Sequence, residues 1–334
     1  MALVSVDIDK PLKSVLSERE RSVECIRRWG GASSDAILDP ECRFFSIPSI
    51  DGLLSYRESP GAVVLFGDPV CAPEDVPKLI AAFQQFAKEN EWEIVFVAAS
   101  EPYSRWLLQQ GIAKACLEFG EEFILNPQAN PASKSSLLGR KERHARRVGI
   151  SVVEYKGNDP ALEEQLEAIG TAWLQSRKGP QIHISRIFLF DDRYGKRWFY
   201  AHDGQQIVGV TVLNQLQSRD GWLLNHLMPC PTAPSGTSEL LVLSALQTLK
   251  DEGCSFVTIG AVQGKRTGEM QGIGLIPSLL VRIGFYIARC IFRLDGSGKY
   301  WDKFHPQKER LFLLFSQGIG IKEVRAICRA MNVL

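Results

Sequence analysis

A short basic segment is the part of this sequence whose residue types point most directly to a chemistry. Residues 134–147 read Lys-Ser-Ser-Leu-Leu-Gly-Arg-Lys-Glu-Arg-His-Ala-Arg-Arg, in a chain whose formal net charge is only +1. In a helix, residues three and four apart share a face, so arginines would line one side while Leu137, Ala145 and Val148 pack on another. A local excess of cations predicts binding to a large anion, most plausibly nucleic acid. The candidate phosphate ligands are Arg140, Lys141, Arg143, Arg146 and Arg147. A solvated helix face without a ligand is the alternative interpretation.

The composition is that of an ordinary folded protein with room for two cores. The chain has 334 residues, of which 45% are hydrophobic and 23% charged. The eight cysteines are scattered without a C-x-x-C pair, which predicts reduced thiols and neither a zinc site nor a disulfide framework. The N-terminal segment carries acids where a secretory signal needs an apolar core, and no run of about 18 apolar residues follows. We therefore expect a cytoplasmic protein that binds no metal.

Two parts of the sequence have the same order of predicted elements. In each, an Asp-Gly turn joins two strands with alternating hydrophobicity, at residues 51–52 and 203–204. A third strand, a proline-rich loop, an amphipathic helix and a buried strand then follow. This order is typical of N-acetyltransferases, so the predicted fold class is α/β (α+β), with tandem N-acetyltransferase-like domains, each a mixed sheet flanked by helices. The predicted divisions are a first domain at 1–133, a basic connecting helix at 134–150, and a second domain at 151–334 that holds the active site.

The loops that would bind coenzyme A in such a fold are unsuitable for a pyrophosphate. A pyrophosphate site needs a row of free backbone N–H groups at a helix N-terminus. The two loops, at residues 67–73 and 229–237, are rich in proline, which has no N–H to donate. We therefore expect no coenzyme A and no other cofactor.

Four motifs together resemble a known family. They are Val64-Leu65-Phe66-Gly67-Asp68-Pro69-Val70, the basic segment, Ala233-Pro234-Ser235-Gly236-Thr237 with Glu239-Leu240-Leu241, and Lys303-Phe304-His305-Pro306. The chain resembles the C-terminal domain of phosphatidylglycerol lysyltransferases, which has these motifs in the same order, over roughly residues 35–315. The stretch Arg177-Lys178-Gly179-Pro180-Gln181-Ile182-His183 looks closer to freestanding or synthetase-fused fungal members, which are similar to sterol-aminoacylating enzymes and a related hydrolase.

The resemblance implies transfer of an amino acid from aminoacyl-tRNA to a lipid hydroxyl, with the basic helix binding the tRNA acceptor arm. Lys303 matches a family lysine and is the candidate that stabilises an oxyanion or a terminal phosphate; a surface lysine without a role in the reaction is the alternative. Two positions near the amino acid, an acid and an arginine in the family, correspond here to Asn225 and Met228. Loss of that arginine favours a neutral acceptor, such as a sterol, over phosphatidylglycerol.

The remaining candidate residues follow from position in the chain. His226 lies near the end of the central strand of the second half and is a candidate base; a core histidine is the alternative. Glu239, in the first turn of a predicted helix, would bind the α-ammonium group of the amino acid or only serve the helix dipole. Asp68 lies in the cleft of the first half as a substrate contact or a turn residue. Gln181 and His183 would border the acceptor pocket or lie on the surface.

A largely apolar segment at residues 275–294 suggests contact with a membrane surface. Its three arginines are spaced by seven and four residues and would share one helical face at the lipid headgroups. They are Arg282, Arg289 and Arg293. A buried helix with one solvent-facing stripe is the alternative.

The leading hypothesis is a cytoplasmic aminoacyltransferase, peripheral to a membrane, that esterifies a lipid hydroxyl with an amino acid from tRNA. Its expected partners are aminoacyl-tRNA, the lipid acceptor and the membrane surface. A hydrolase of aminoacylated lipids is the first alternative, because water can replace the acceptor alcohol in the same pocket. A non-catalytic RNA-binding or regulatory module is the second, motivated by Asn225 and Met228.

Overall fold

The computed structural model describes residues 17–33, 36–176, 187, 189–263, 268, 270–272 and 295–331. The strands are β1 (Arg43–Phe45), β2 (Leu54–Ser59), β3 (Ala62–Phe66), β4 (Glu93–Ser100), β5 (Ala115–Leu125), β6 (Ser151–Tyr155), β7 (Lys196–His202), β8 (Ile207–Leu216), β9 (Gly221–Pro229), β10 (Phe256–Gln263), β11 (Met270–Gln271) and β12 (Gln307–Phe315). The α-helices are α1 (Glu18–Trp29), α2 (Val76–Glu89), α3 (Glu101–Gln109), α4 (Pro131–Lys134), α5 (Ser136–Arg147), α6 (Pro160–Ser176), α7 (Thr237–Asp251), α8 (Asp295–Asp302) and α9 (Ile321–Ala330).

The strands form one mixed sheet with helices on both faces. Its order is β1-β2-β3-β4-β12-β5-β10-β9-β8-β7-β6, with β11 paired to β5 off this path. Neighbouring strands are antiparallel except for two parallel pairs, β3 with β4 and β9 with β10. In each parallel pair a helix connects the strands, α2 in the first and α7 in the second. The predicted fold class is therefore confirmed.

The two predicted repeats occupy equivalent places about the centre of this sheet. Counted outward from the centre, β12, β4, β3, β2 and β1 on one side correspond to β5, β10, β9, β8 and β7 on the other. The two central strands are exchanged: β12 follows the second repeat but pairs with β4, and β5 follows the first repeat but pairs with β10. The C-terminal helix α9 likewise packs on β2 and β3. Residues 307–330 therefore contact the first half, contrary to their predicted placement in a second domain.

Both parallel pairs separate at a residue in the left-handed backbone region. The pairing of β3 with β4 ends at Phe66 and Val97, and Ala98 follows with φ +61°. The pairing of β9 with β10 ends at Leu223 and Thr258, and Gly260 has φ +80°. A left-handed residue turns the strand away from its neighbour, and outside glycine it carries some strain. Each half therefore has a cleft beyond the end of its parallel pair.

Four buried apolar clusters hold the helices on the sheet. The cluster under α2 and α3 includes Phe83 and Leu107, and the opposite face of the first half packs against α1 and α9. In the second half, α5 and α7 pack on one face and α6 on the other. Arg27, which is fully buried in α1, donates from Nε to the carbonyl oxygen of Tyr194 at 3.1 Å and so connects the two halves.

Candidate functional site

The N-terminus of α7 lies beside the cleft of the second half and organises the candidate site. The proline-rich loop before it ends at Gly236, which caps the helix with φ +99°. A side chain at Gly236 would place its Cβ 2.2 Å from the carbonyl oxygen of Lys141 in α5. Only glycine combines this backbone conformation with so close an approach. The basic helix α5 is thereby packed directly against the first turn of α7.

Lys303 and Glu239 form a buried ion pair at this helix terminus. The Nζ atom of Lys303 lies 2.5 Å from Oε1 of Glu239, and the two side chains are only 13% and 9% exposed. The same ammonium group stands 3.5 Å from the centre of the Tyr300 ring, a cation–π contact. The hydroxyl of Ser238 donates to Oε2 of Glu239 at 3.1 Å. The pair is therefore held by contacts on several sides.

Burial and neighbouring charges shift the pKa values of both partners, and Lys141 adds a second cation to the cluster. Burial acts to raise the pKa of Glu239, but the hydrogen bond and charge of Lys303 outweigh it and hold that pKa below its ordinary value. Burial lowers the pKa of Lys303, Lys141 lowers it further, and Glu239 opposes both effects. With Lys141 included, two cations face one carboxylate. The surplus charge favours an anionic group in the cleft.

Lys141 connects the basic helix to the ion pair. Its Nζ atom donates to Oγ of Ser235 at 2.5 Å, in the loop that leads to α7. It is thus turned toward the cleft, and its charge acts on Lys303. Lys141, predicted from sequence as a tRNA ligand, therefore also lies beside the ion pair, a contact that the sequence did not predict.

Three arginines of α5 form an exposed surface, here called the arginine stripe: Arg140, Arg143 and Arg147. At about 3.6 residues per turn they lie opposite Leu138 and Ala145, which are fully buried against α7. In the described part of the chain none of the three arginines has an ion-pair partner. The stripe is therefore available to an external anion.

The packing face of α5 differs from the prediction in two positions. Leu137 is 45% exposed and Val148 is 44% exposed, although both were expected to pack with Ala145. They lie about 60–100° around the helix from the buried stripe of Leu138 and Ala145, since successive residues turn by about 100°. The helix spans Ser136–Arg147, shorter than the predicted 134–150. Arg146, which is also predicted to bind tRNA, pairs with Glu142 one turn earlier at 3.1 Å.

The structure does not bring His226 to the ion pair. His226 lies two residues before Met228, so both side chains point to the same face of β9. Met228 is fully buried in the cluster beneath α6, on the face opposite α7. Met228 is therefore a core residue. Asn225 is half-buried where the pairing of β8 and β9 shifts register.

Asp68 lies in the cleft of the first half, as predicted. Its Oδ1 atom accepts a hydrogen bond from the backbone N–H of Ser100 at 2.8 Å. Its accessible surface faces a cavity of about 730 Å³, and the protein around it raises the pKa of its carboxyl by desolvation. The cavity also contains Glu122 and Arg219, which the sequence analysis did not select.

The other predicted site residues lie outside the described residues. They are Gln181 and His183 in the second half and Arg282, Arg289 and Arg293 in the apolar segment. Within the described ranges, no helix combines the length and apolar character that crossing a bilayer requires. No group of three or more metal-ligating side chains is found in that same part of the chain.

The surroundings of the ion pair include three residues that were not predicted from the sequence: Tyr300, Ser235 and Ser238. Ser235 belongs to the motif at residues 233–237, and Ser238 directly follows it. Tyr300 precedes Lys303 by three residues, a spacing at which an aromatic ring and an ammonium group share a helical face. That spacing is the one signal from which the cation–π contact could have been predicted.

The sequence is similar to phosphatidylglycerol lysyltransferases over nearly the whole chain. Phosphatidylglycerol lysyltransferase from Staphylococcus aureus (strain MRSA252) is 20% identical over 333 residues, which cover 96% of this chain and 38% of that protein. The enzyme of the same name from Staphylococcus epidermidis (strain RP62A) is 22% identical over 325 residues, covering 92% of this chain and 37% of the relative. The chain thus spans less than two-fifths of the length of these curated relatives.

Solved structures with the same fold cover nearly the whole chain. L-PGS from Bacillus licheniformis superposes with a TM-score of 0.77 at 16% identity, covering 94% of this chain and 96% of the other. A C-terminal domain from Agrobacterium fabrum, assigned to a lysylphosphatidylglycerol synthetase, gives a TM-score of 0.76 at 18% identity, with 95% and 97% covered. At these identities the structures establish the fold alone.

The family model described as phosphatidylglycerol lysyltransferase, C-terminal, matches residues 32–315. The match extends from the end of α1 to the end of β12 and includes the ion pair and the arginine stripe. This chain belongs to that family.

Proposed function

We propose that the protein transfers an aminoacyl group from aminoacyl-tRNA to the hydroxyl of a lipid. The observation that carries the proposal is the position of the Lys303–Glu239 pair next to the basic helix, with Lys141 between them. A cationic helix supplies a surface for phosphates, and a buried ammonium group supplies charge at the reacting ester. The activity named for the relatives supports an aminoacyl transfer to lipid.

The reaction needs charge stabilisation and a balanced proton transfer. The lipid hydroxyl oxygen attacks the carbonyl carbon of the aminoacyl ester and forms a tetrahedral oxyanion. The bond from that carbon to the ribose oxygen of the tRNA then breaks. The proton lost by the lipid hydroxyl ends on the ribose oxygen. The ammonium group of Lys303 stabilises either the oxyanion or the terminal phosphate of the tRNA, because the cluster around it carries surplus positive charge.

Glu239 acts in this proposal as a positioning residue for Lys303. Its carboxylate is bound to the ammonium group and to the Ser238 hydroxyl, so it fixes the place of the charge in the cleft. Binding of the substrate α-ammonium by Glu239, the prediction made from sequence, requires that the new cation share the carboxylate with Lys303. The second cation, Lys141, makes that arrangement less favourable.

The arginine stripe is the proposed contact for the tRNA acceptor arm. Its three guanidinium groups project from the face of α5 opposite the buried contact with α7. Phosphate contacts of this kind position a nucleic acid without reading its sequence. The proposed acceptor is a lipid hydroxyl, either of a sterol or of phosphatidylglycerol, and the proposed location is cytoplasmic and peripheral to a membrane.

The test is a transfer assay with each substrate varied separately. Purified protein is incubated with labelled aminoacyl-tRNAs and vesicles that contain phosphatidylglycerol, a sterol, or neither. The expected result is label in the organic phase that depends on both the tRNA and one acceptor. Absence of extractable label with every amino acid and both acceptors overturns the proposal.

Charge reversal in the arginine stripe separates transferase from hydrolase. Substituting Glu for Arg140, Arg143 and Arg147 should abolish tRNA-dependent transfer, whereas hydrolysis of an aminoacyl lipid should continue. The matched control replaces three exposed cations of the first half that pair with no acid in the part of the chain that the structure describes, and it should leave transfer unchanged. They are Arg21, Lys78 and Lys88. Equal losses in both triple variants would show that net charge, and not the stripe, determines activity.

A further inference from the structure

A cavity of about 730 Å³ lies in the first half of the molecule, away from the Lys303–Glu239 pair. It opens where β3 and β4 separate, at the left-handed residue Ala98. Its walls come from the loop after α1, the first turns of α2 and α3, β5 and the turn between β8 and β9. Typical small-molecule pockets have about 300–1,000 Å³, so the space suits one organic ligand.

The ionisable groups in this cavity are two carboxyl groups and one guanidinium group, and burial raises the pKa of both carboxyls. Asp68 and Glu122 both line it, and Arg219 is the cation near both carboxyls. With both acids ionised, two negative charges face one positive charge. The guanidinium of Arg219 is also engaged over the ring of Phe256, 4.7 Å from its centre. An added monocation would neutralise the site.

A buried hydroxyl in the wall is a second, independent sign of a ligand. Tyr103 lines the cavity and is only 7% exposed, and its hydroxyl has no hydrogen-bond partner in the described part of the chain. Asp68 is close enough to this phenol to raise its pKa, after the larger effect of burial. An unpaired buried hydroxyl costs free energy that a bound polar group can recover.

Most of the remaining wall is apolar and aromatic. Trp29, Phe66 and Trp106 line the cavity with several prolines and aliphatic side chains. Aromatic rings favour an organic body and also attract cations through their faces. A hydrated metal ion would gain little from such a wall.

The internal repeat gives this cavity a counterpart with chemistry already described. The first turn of α2 corresponds to the first turn of α7, which contributes Glu239. Helix α3, which follows β4, corresponds to α8, after which Lys303 lies. The two clefts of the repeated fold thus carry different ionisable groups, two cations and one carboxylate in the second half and two carboxyl groups and one cation in the first.

We propose that the first-half cavity is a separate binding site for an organic monocation, a primary ammonium group on an apolar or aromatic body. The ammonium group lies between Asp68 and Glu122, and the body lies against Trp29 and Trp106. This site is distinct from the proposed aminoacyl transfer at Lys303 and does not depend on it. A free amine and the α-ammonium of an aminoacyl ester on a lipid share the required chemistry.

The test compares three probes of equal shape and different charge on the full chain. Phenylbutylamine, phenylbutanol and phenylbutyrate are titrated while tryptophan fluorescence is followed, since two tryptophans line the cavity. The amine should bind about 10- to 100-fold more tightly than the alcohol, the range expected for one hydrogen bond to a charged group. The carboxylate should bind most weakly. Equal binding of amine and alcohol, or no binding of the amine, overturns the proposal.

Charge-removing variants locate the ammonium group. Asp68→Asn and Glu122→Gln should each remove most of the preference for amine over alcohol, and Glu89→Gln, an exposed carboxylate of the same half, should not. Arg219→Gln should strengthen amine binding several-fold, because it removes the competing cation. Amine binding that survives both acid substitutions, or that weakens in Arg219→Gln, contradicts the assignment.

A stability measurement distinguishes loss of binding from loss of folding. Burial raises the pKa of Glu122 above the ordinary 4.5, and the neighbouring acids Glu309 and Asp68 add to this, whereas Thr258 and Arg219 oppose it. A raised carboxyl pKa means that ionisation opposes folding as the pH rises through the folded value. Glu122→Gln should therefore be relatively more stable at neutral pH than in acid. Weaker amine binding in a variant destabilised at neutral pH would count against the site.

An aminoacyl ester of a short-chain lipid, added as a competitor, identifies the source of the ammonium group. Displacement of the bound amine points to aminoacyl lipid, and lack of displacement points to a soluble amine. In both cases the cavity recognises a primary ammonium group, as proposed. Displacement by the unesterified lipid alone would show that the ammonium group is not what the cavity recognises, and would overturn the proposal.

Discussion

The contact between α5 and α7 at Gly236 provides the sharpest test of how the candidate site is built. We expect Gly236→Ala to destabilise the fold in two ways. An alanine at φ +99° pays about 1–2 kcal/mol for a left-handed backbone. Its Cβ would also lie 2.2 Å from the Lys141 carbonyl oxygen, so α5 must retreat by about 1 Å, and such overpacking costs about 1–3 kcal/mol. The total is about 2–5 kcal/mol.

The matched control is Gly253→Ala, just beyond the other end of α7. Gly253 has φ +84°, but a Cβ there meets nothing within 4 Å. It should therefore lose only the backbone contribution, about 1–2 kcal/mol. Urea unfolding of both variants, followed by circular dichroism and by tryptophan fluorescence, gives the difference. If the two variants are destabilised equally, the inference that the Lys141 carbonyl oxygen packs closely against Gly236 is wrong.

Activity supplies a second readout of the same change. A retreat of α5 moves Lys141 and the arginine stripe away from the Lys303–Glu239 pair. Transfer from aminoacyl-tRNA by Gly236→Ala should fall under conditions in which both variants remain folded, and transfer by Gly253→Ala should not. Preserved transfer in a clearly destabilised Gly236→Ala would refute the inferred coupling between the helix and the ion pair.

Three further predictions concern the ion pair, the stripe and the thiols. Lys303→Met should lower transfer about 100-fold or more. It should also lower the free energy of unfolding by about 3 kcal/mol, because it leaves the buried carboxylate of Glu239 unpaired. Lys308→Met, which breaks partly exposed ion pairs, should lower it by under about 1 kcal/mol in the same urea experiment. Loss of the arginine stripe should make the slope of log tRNA affinity against log salt shallower by about 2–3, measured by filter binding, and an unchanged slope would show that the stripe contacts no phosphate. Burial raises the pKa of both Cys25 and Cys71 to about 12, so at pH 8 only about one thiol in 10⁴ is ionised. Mass spectrometry after treatment with iodoacetamide should therefore find both cysteines unlabelled. Rapid labelling in the folded protein would contradict their burial.

Local patterns in the sequence predicted the elements well because local physics determines them. The Asp-Gly turns predicted at residues 51–52 and 203–204 lie between β1 and β2 and between β7 and β8. The basic helix was predicted from its cations alone, and its ends differ only where Ser135 caps the N-terminus and the chain turns at Gly149. Repeated order also predicted two similar halves correctly.

Long-range pairing was beyond the same reasoning. The exchange of β5 and β12 joins residues about 200 positions apart, and nothing in the composition of either strand specifies which edge it meets. The Lys303–Glu239 pair spans 64 residues, and Arg219 approaches Asp68 from the other half of the chain. His226 was selected because it stands near a strand end, and only the register of β9 reveals which face it occupies.

The strand exchange also explains why one protein has two unlike clefts. Each half completes its sheet with a strand from the other, so neither half can fold its centre alone, and the pair must remain one unit. Within that unit the second cleft received Lys303, Lys141 and the basic helix, all suited to anions. The first received Asp68, Glu122 and an unpaired phenol, all suited to a cation. A transfer from a phosphate-rich donor to a lipid uses the anion-binding surface of the second cleft directly. An amine site in the other half gives the same scaffold a means to recognise a second ligand without competing for Lys303.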